Sequence, residues 1–371
     1  MKKILSAVAL CALCASPLTA MAEGTTVYGE LKYSINSVDD DTLTGKDGWS
    51  GEDNISLFGI KGSYGNDVKA FFHLQTQANA DSDASGIDKD AFKQRFFFGG
   101  LEGAFGKVAY GRMTNAYKFD GFKMDPFYNY SHVSATGLFG AGGATYGLSP
   151  ATNGFTDNSL QYVTPSLAGF KVTTAIYIDD ADDDNSNDDH GYLGGVSYTM
   201  KGLSAGVVYA SNHGAETTDD ATLTPKTVKD YSTMPGIAAD GEAIRGYVNY
   251  KISDNLKLGL SVEQVDIYTS AVAKANNYDE DAIYGYLTGT MVMPDINMEF
   301  SASLGMVDDG AAEGWGTTVG AWYNIAKNTK LFTLVSYADI SADELLYGAD
   351  SDRSPLVISI GAQHKFSLSS K

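Results

Sequence analysis

Leu356-Val-Ile-Ser-Ile-Gly-Ala-Gln-His-Lys-Phe366, close to the C-terminus, decides the fold. Counting back in twos from Phe366 gives His364, Ala362, Ile360, Ile358 and Leu356, a mostly apolar row. The row between, Lys365, Gln363, Gly361, Ser359 and Val357, is small or polar. Successive side chains of a strand point to opposite faces, so this strand has one oily face and one wet one. In a soluble sandwich the oily face turns inward. The rest of the chain predicts that here it turns outward, into lipid.

At the N-terminus, Lys2 and Lys3 precede an apolar run from Ile4 to Leu18, and Ala20-Met-Ala22 offers small residues where a signal peptidase reads. Residues 1–22 are therefore expected to be a secretory signal peptide and residues 23–371 the mature barrel. The run is too short to span a bilayer as a helix. Both cysteines, Cys11 and Cys14, lie within it, so no disulfide framework is expected in the mature chain. The remainder has no linker, no helix-length apolar pattern and no break in composition. Aromatic residues make up 12% of the chain, 23 of them tyrosines, while the mean hydropathy is only -0.16. A membrane β-barrel meets both conditions, because only the residues facing lipid need be apolar.

Two kinds of connection alternate along the chain. Short turns occur at Tyr64-Gly-Asn-Asp67, Gly103-Ala-Phe-Gly106, Pro165-Ser-Leu-Ala-Gly169, Met200-Lys-Gly202, Ser253-Asp-Asn255, Met293-Pro-Asp295 and Ala326-Lys-Asn328. Longer acidic stretches fall near 38–53, 79–90, 113–156, 179–190, 212–242, 269–281, 308–313 and 341–353. Seven turns and eight long loops predict an all-β protein, a transmembrane antiparallel barrel of sixteen strands. Turns this tight join only antiparallel neighbours. Closure removes the sheet edges that lipid would not tolerate. A barrel of this size encloses an aqueous channel.

Several motifs carry a resemblance. Val27-Tyr-Gly29, Phe58-Gly-Ile-Lys-Gly62, Arg95-Phe-Phe-Phe-Gly-Gly-Leu101, Phe105-Gly-Lys-Val-Ala-Tyr-Gly-Arg112 and Asp157-Asn-Ser-Leu-Gln-Tyr162 occur in order, and Gly361-Ala-Gln-His-Lys-Phe366 closes the chain. This ordered set resembles the general diffusion porins of Gram-negative outer membranes. The resemblance implies a homotrimer of sixteen-stranded barrels in the outer membrane, among lipids and lipopolysaccharide. It also implies a third extracellular loop folded inward as the constriction, and passive passage of ions and small hydrophilic solutes. The family normally ends at its terminal aromatic, but Ser367-Leu-Ser-Ser-Lys371 follows Phe366. Either this tail is a periplasmic extension, or the last strand slides so that Leu368 takes the outward end position.

The third loop would be 113–156, which holds Phe119, Asp120, Asp125, Phe127 and Tyr128. Asp120 and Asp125 are the expected acidic side of the constriction, and Asp125-Pro-Phe127 is the nearest counterpart of the family's loop tip. On the wall the resemblance implies a basic cluster, here expected from Lys93 and Arg95, with Phe92, Phe96 and Phe98 turned to lipid and Phe97 inward. Arg112 is a further basic candidate, or an anchor for the root of the loop. Glu30, Lys32, His73 and Gln75 are expected to face the lumen. Leu57 and Phe155 stand where relatives carry arginine. Tyrosines at strand ends, among them Tyr28, Tyr33, Tyr110, Tyr177 and Tyr209, are expected in interfacial girdles.

The chain carries a net charge of -20. That predicts a mild preference for cations, because an acidic mouth concentrates them. It disfavours nucleic acid as a partner. Seven aspartates lie between Asp179 and Asp189; they read either as a solvated acidic loop or as a divalent-cation bridge to lipopolysaccharide. No metal, cofactor or catalytic activity is expected, since no serine motif or metal-ligand spacing accompanies the five histidines. The alternative to general diffusion is a channel specific for sugars or oligosaccharides, with Phe97 and the aromatic third loop as the slide for sugar rings.

Overall fold

A computed structural model of the protein describes residues 24–39, 48–78, 92–130, 133–134, 146–178, 190–213, 237, 241–266, 281–308, 312–342, 352 and 354–370. The expected signal peptide, the loop at 79–90 and the acidic run 179–189 lie outside the described residues.

Among the described residues, seventeen strand segments form one antiparallel sheet. They are β1 (Thr25–Asp39), β2 (Gly48–Asp53), β3 (Leu57–Gly65), β4 (Val68–Ala78), β5 (Phe92–Gly103), β6 (Gly106–Met113), β7 (Thr156–Val163), β8 (Phe170–Ile178) and β9 (His190–Met200). The second half contributes β10 (Leu203–His213), β11 (Glu242–Lys251), β12 (Leu256–Asp266), β13 (Asp281–Met293), β14 (Met298–Asp308), β15 (Ala312–Ala326), β16 (Thr329–Ala342) and β17 (Leu356–Ser369). Apart from β2 and β3, which both pair with β1, each pairs with its neighbours in sequence, and β1 pairs with β17, which closes the sheet. Because β2 and β3 lie end to end along β1, they are one interrupted strand. The barrel is sixteen-stranded.

The interruption is a β-bulge. Residues 54–56 oppose only Leu31 and Lys32, and Ile55 takes a φ of 62° to accommodate the extra residue. Sequence patterning assigned 38–53 to a loop; instead β1 extends to Asp39 and 48–53 pairs back on it. All seven short turns lie where the sequence places them, and all join strands at one rim.

Alternation on β17 runs as expected. Leu356, Ile358, Ile360, Ala362 and His364 are exposed, while Val357, Ser359 and Gln363 between them are buried. On β12, Leu258, Leu260 and Val262 are exposed and Ser261, Glu263 and Val265 buried. In water each exposed aliphatic side chain would forgo roughly 1.5–3 kcal/mol of burial. Facing lipid it does not, and the outer surface is the apolar band of a membrane barrel.

The tail after Phe366 is part of the last strand, with Leu368 exposed near its outward end. The strand continues to Ser369, with Val27 opposite Leu368 and Thr26 opposite Ser369, and Ser370 donates its N–H to the Thr25 carbonyl at 3.0 Å. The Phe366 ring covers Gly29 and lies 5.8 Å from the Phe58 ring. A side chain at Gly29 would collide with that ring.

Candidate functional site

Position within the site is set first by a second bulge. Gln75 pairs with Phe96 but Thr76 pairs with Gln94, so Arg95 is the extra residue on β5. A bulge reverses the in-out phase of the strand that carries it. Phe97, expected inward, is therefore 61% exposed on the outer face. Phe96 and Phe98, expected in lipid, instead ring His73 at 4.7 and 5.5 Å. Arg95 stays on the inner side and buried, with Nε donating to Gln75 Oε1 at 3.0 Å and Nη1 to Gln77 Oε1 at 3.4 Å.

Around Arg95 the inner wall of β1 and β3–β5 is polar. Tyr28, expected in a girdle, points inward instead, hydrogen-bonded to His73 and accepting from Gln75 Nε2 at 2.8 Å. Lys32 is buried between the Glu30 carboxylate, 3.3 Å away, and the Tyr130 ring at 4.2 Å. Its Nζ donates to the Asn129 carbonyl at 3.2 Å. Glu30 also accepts from Gln363 at 2.7 Å and lies 3.5 Å from Lys365. Lys93 is exposed and lies opposite Gln77.

Three basic side chains converge on one ring. The Lys118 ammonium nitrogen lies 4.0 Å from the centre of Phe155, the Arg95 guanidinium 4.9 Å and the Arg112 guanidinium 5.5 Å. The aromatic face offers each of them a cation–π partner. Arg112 also pairs with Asp157 at 2.6 Å and donates to the Gln94 carbonyl, which ties the root of the long segment to β5. Burial, with Arg95 and Arg112 close by, holds Lys118 well below the ordinary lysine value. Sequence reading missed Lys118, whose only signal was a lysine within the long loop.

Lys118 sits on α1 (Ala116–Phe122), capped by Asn115, which accepts from the Lys118 N–H at 2.7 Å. From here the segment is fastened to residues that alternate with the exposed apolar ones. Tyr117 packs with Tyr177, Leu193, Val208 and Val265, so Tyr177 is buried inward and not in a girdle. Tyr117 Oη donates to Glu263 at 2.7 Å, and the Ser149 N–H and hydroxyl reach the same carboxylate, both at 2.7 Å. Arg245 meets Glu263 at 2.6 Å, both side chains fully buried, and also bonds the Tyr117 carbonyl and Thr152.

Further along, Asp125 is only 4% exposed. It accepts from the Phe127 N–H (2.8 Å), Ser134 Oγ (2.9 Å) and Tyr286 Oη (2.8 Å). Its carboxylate therefore holds the segment to β13 and is not presented to solvent. Tyr146 bonds Thr318 and Ser336 at 3.0 Å each, and Trp322 donates to Tyr130 Oη at 2.8 Å. Asp120 lies 3.4 Å from Lys123. Burial raises its carboxyl above the usual range, against the pull of Lys123 and a Tyr247 hydrogen bond. Among the described residues, no group of three or more His, Cys, Asp or Glu gathers to hold a metal.

A sequence model described as Gram-negative porin matches residues 7–344. The chain is 26% identical over 398 residues to the major outer membrane protein P.IB of Neisseria sicca, covering 99% of this chain and 100% of that protein. In three dimensions it is similar to the anion-selective porin from Comamonas acidovorans, with a TM-score of 0.67 at 18% identity, over 92% of this chain and 99% of that one. It is also similar to the trimer form of OmpT, an outer membrane protein of Vibrio cholerae, with a TM-score of 0.62 at 16% identity, over 93% and 100% of the two chains.

Proposed function

The chain belongs to the Gram-negative porins of the outer membrane, and from that membership we propose that it forms a passive, water-filled channel for ions and small hydrophilic solutes, assembled as a homotrimer after removal of residues 1–22. The observation that carries this reading is the closed sixteen-stranded sheet, apolar outside and lined inside by Tyr28, Glu30, His73, Gln75 and Arg95. A barrel of this size leaves more interior than its own side chains fill. The segment 113–155 is fastened to β8 and β9–β16 by Tyr117, Asp125, Tyr146 and Ser149, which supports a lumen narrowed to the space between it and the wall of β1–β6.

The cation preference expected from the net charge draws no support from this lining. Asp125 is occupied by three hydrogen bonds and Glu263 by Arg245. Arg95, with Gln75 and Gln77 as its hydrogen-bond partners, stands beside Arg112 and Lys118. We read the constriction as weakly anion-favouring; the Comamonas acidovorans barrel, itself described as anion-selective, is in keeping with this. The test is single-channel current of the purified protein in a planar bilayer under a potassium chloride gradient. Steps in multiples of three with an anion-biased reversal potential are expected, and Arg95→Gln should move the reversal toward cations. Absence of conductance would overturn the channel, and a cation-biased reversal would overturn the preference.

A further inference from the structure

Two histidines that serve no part of the lumen meet at the rim of the long connections. His190 opens β9 and His213 closes β10, and antiparallel register sets them directly opposite each other. Their ring centres are 5.3 Å apart with planes inclined by 31°, and the His190 ring abuts Tyr192 at 5.1 Å. Tyr192 and Val196 on β9, and Val207 and Tyr209 on β10, are exposed. Both histidines share their parity, so both imidazoles lie on the outer face, two residues, or roughly 7 Å, beyond Tyr192 and four residues, or roughly 14 Å, beyond Tyr209. Aromatic rows of this kind mark the membrane interface, which puts the pair in the polar layer above it.

We propose that His190 and His213 together bind one divalent transition-metal ion, of the Zn²⁺, Ni²⁺ or Cu²⁺ class. Imidazole suits these ions, whereas Ca²⁺ and Mg²⁺ take oxygen ligands. Two imidazoles sharing a tetrahedral ion at about 2.0–2.1 Å per nitrogen have ring centres roughly 5 Å apart. That is the spacing the strand register already imposes. The backbones are fixed by the ladder, so little conformational entropy remains to be lost on binding. Charge adds to the attraction: Asp188 and Asp189 immediately precede His190 in sequence, at the end of the aspartate run, in a chain of net charge -20. Among the described residues no third ligand completes the site. Two positions of a tetrahedral ion would then be left to water or to an external donor.

The test is calorimetric titration of the mature protein, residues 23–371, in detergent with Zn²⁺, after chelator treatment and with Ca²⁺ in large excess to occupy oxygen-only sites. One Zn²⁺ per chain is expected. His190→Gln and His213→Gln should each weaken binding at least tenfold, and the double variant should be little worse than either, since chelation needs both rings. His73→Gln, remote on the inner wall, should leave binding unchanged. Heat-resistant migration of each variant in gels checks that the barrel still forms. Zn²⁺ binding that survives both substitutions, or that Ca²⁺ abolishes, would overturn the proposal, as would no binding at all.

Discussion

Substituting Glu263 by Ala should detach the long segment without unfolding the barrel. In the native protein this carboxylate accepts from Arg245 at 2.6 Å and from Tyr117 Oη, the Ser149 N–H and Ser149 Oγ at 2.7 Å each, with no solvent access. Removing it leaves the Arg245 charge buried without its counterion, which in comparable sites costs about 3–5 kcal/mol. The three orphaned donors would add about 1–3 kcal/mol each if they stayed buried. The segment has a cheaper response, since it can lift off β11 and β12 and let water reach Arg245. The observable loss is then the free energy of that local opening, expected near 3 kcal/mol and therefore more than about a hundredfold in amide exchange. Hydrogen exchange resolved over residues 115–152 is the assay, with urea unfolding of the whole barrel as the control that should barely move. Replacing both members, Arg245→Met with Glu263→Met, should restore only the part of the protection lost to the unpaired Arg245 charge, because Tyr117 Oη and both Ser149 donors still lack their acceptor. Exchange within threefold of wild type in the single variant would refute the anchoring role.

Other expectations follow from the same geometry. Asp125→Ala should raise exchange around 124–134 by an amount equivalent to about 2–4 kcal/mol, with Tyr286→Phe costing about 1 kcal/mol, because three hydrogen bonds are lost in one case and one in the other. Truncation after Phe366 removes the pairing of Ser367–Ser369 with β1; the yield of heat-resistant barrel should fall while single-channel conductance is kept. Anion preference, read as reversal potential, should grow on acidification. Lys118, held below the ordinary lysine value, gains its proton as pH falls; Asp120, held above the usual carboxylate range, loses its charge earlier than an ordinary aspartate. Both changes add positive charge, and Lys118→Met should remove the lysine's contribution from the profile. Raising salt from about 0.01 M to 1 M shortens the Debye length from about 30 Å to about 3 Å, so any pull of the acidic loops on cations should vanish while the effect of Arg95→Gln persists.

Much of the fold was legible because its signals are local. The parity of β17 needs six alternating residues, and each short turn announces itself by Gly, Pro, Asn or Asp within a few positions. What failed was counting across an irregularity. The extra residues at Ile55 and Arg95 reverse phase mid-strand, and nothing in Phe92-Lys-Gln-Arg-Phe-Phe-Phe98 says where a bulge falls. Phe96, Phe97 and Phe98 were consequently assigned to the wrong faces. The Arg245–Glu263 pair was within reach: both lie on inward positions of strands joined by the Ser253-Asp-Asn255 turn, and the register of that hairpin sets them opposite. The partnership of His190 with His213 needs the same step. Tyr117, Ser149 and Lys118 were not within reach, since their placement depends on how an irregular segment lies across five or more strands.

Net charge is a weak guide to selectivity for a reason that concerns distance more than sign. An electrolyte-filled mouth screens each carboxylate over a Debye length of about 10 Å at 0.1 M salt, so acids in the long connections act on an ion only while it is near them. At the proposed constriction a solute would pass within a few ångströms of the wall, where two unit charges 4 Å apart interact by about 4 kcal/mol at an effective dielectric of 20 and about 1 kcal/mol in bulk water. One unneutralised guanidinium there outweighs several rim aspartates. The chain spends its inward carboxylates on structure: Glu263 on Arg245, Asp125 on Tyr286 and its own segment, Glu30 on Lys32. Glu263 and Glu30 are cancelled by the cations that hold them, and Asp125 is turned away from solvent by its hydroxyl and amide donors. Arg95 is held by amides and a phenyl ring, partners that orient a cation without neutralising it. Selectivity in such a pore follows from which charges are left over after folding has used the rest, and that remainder cannot be read from a sum over the sequence.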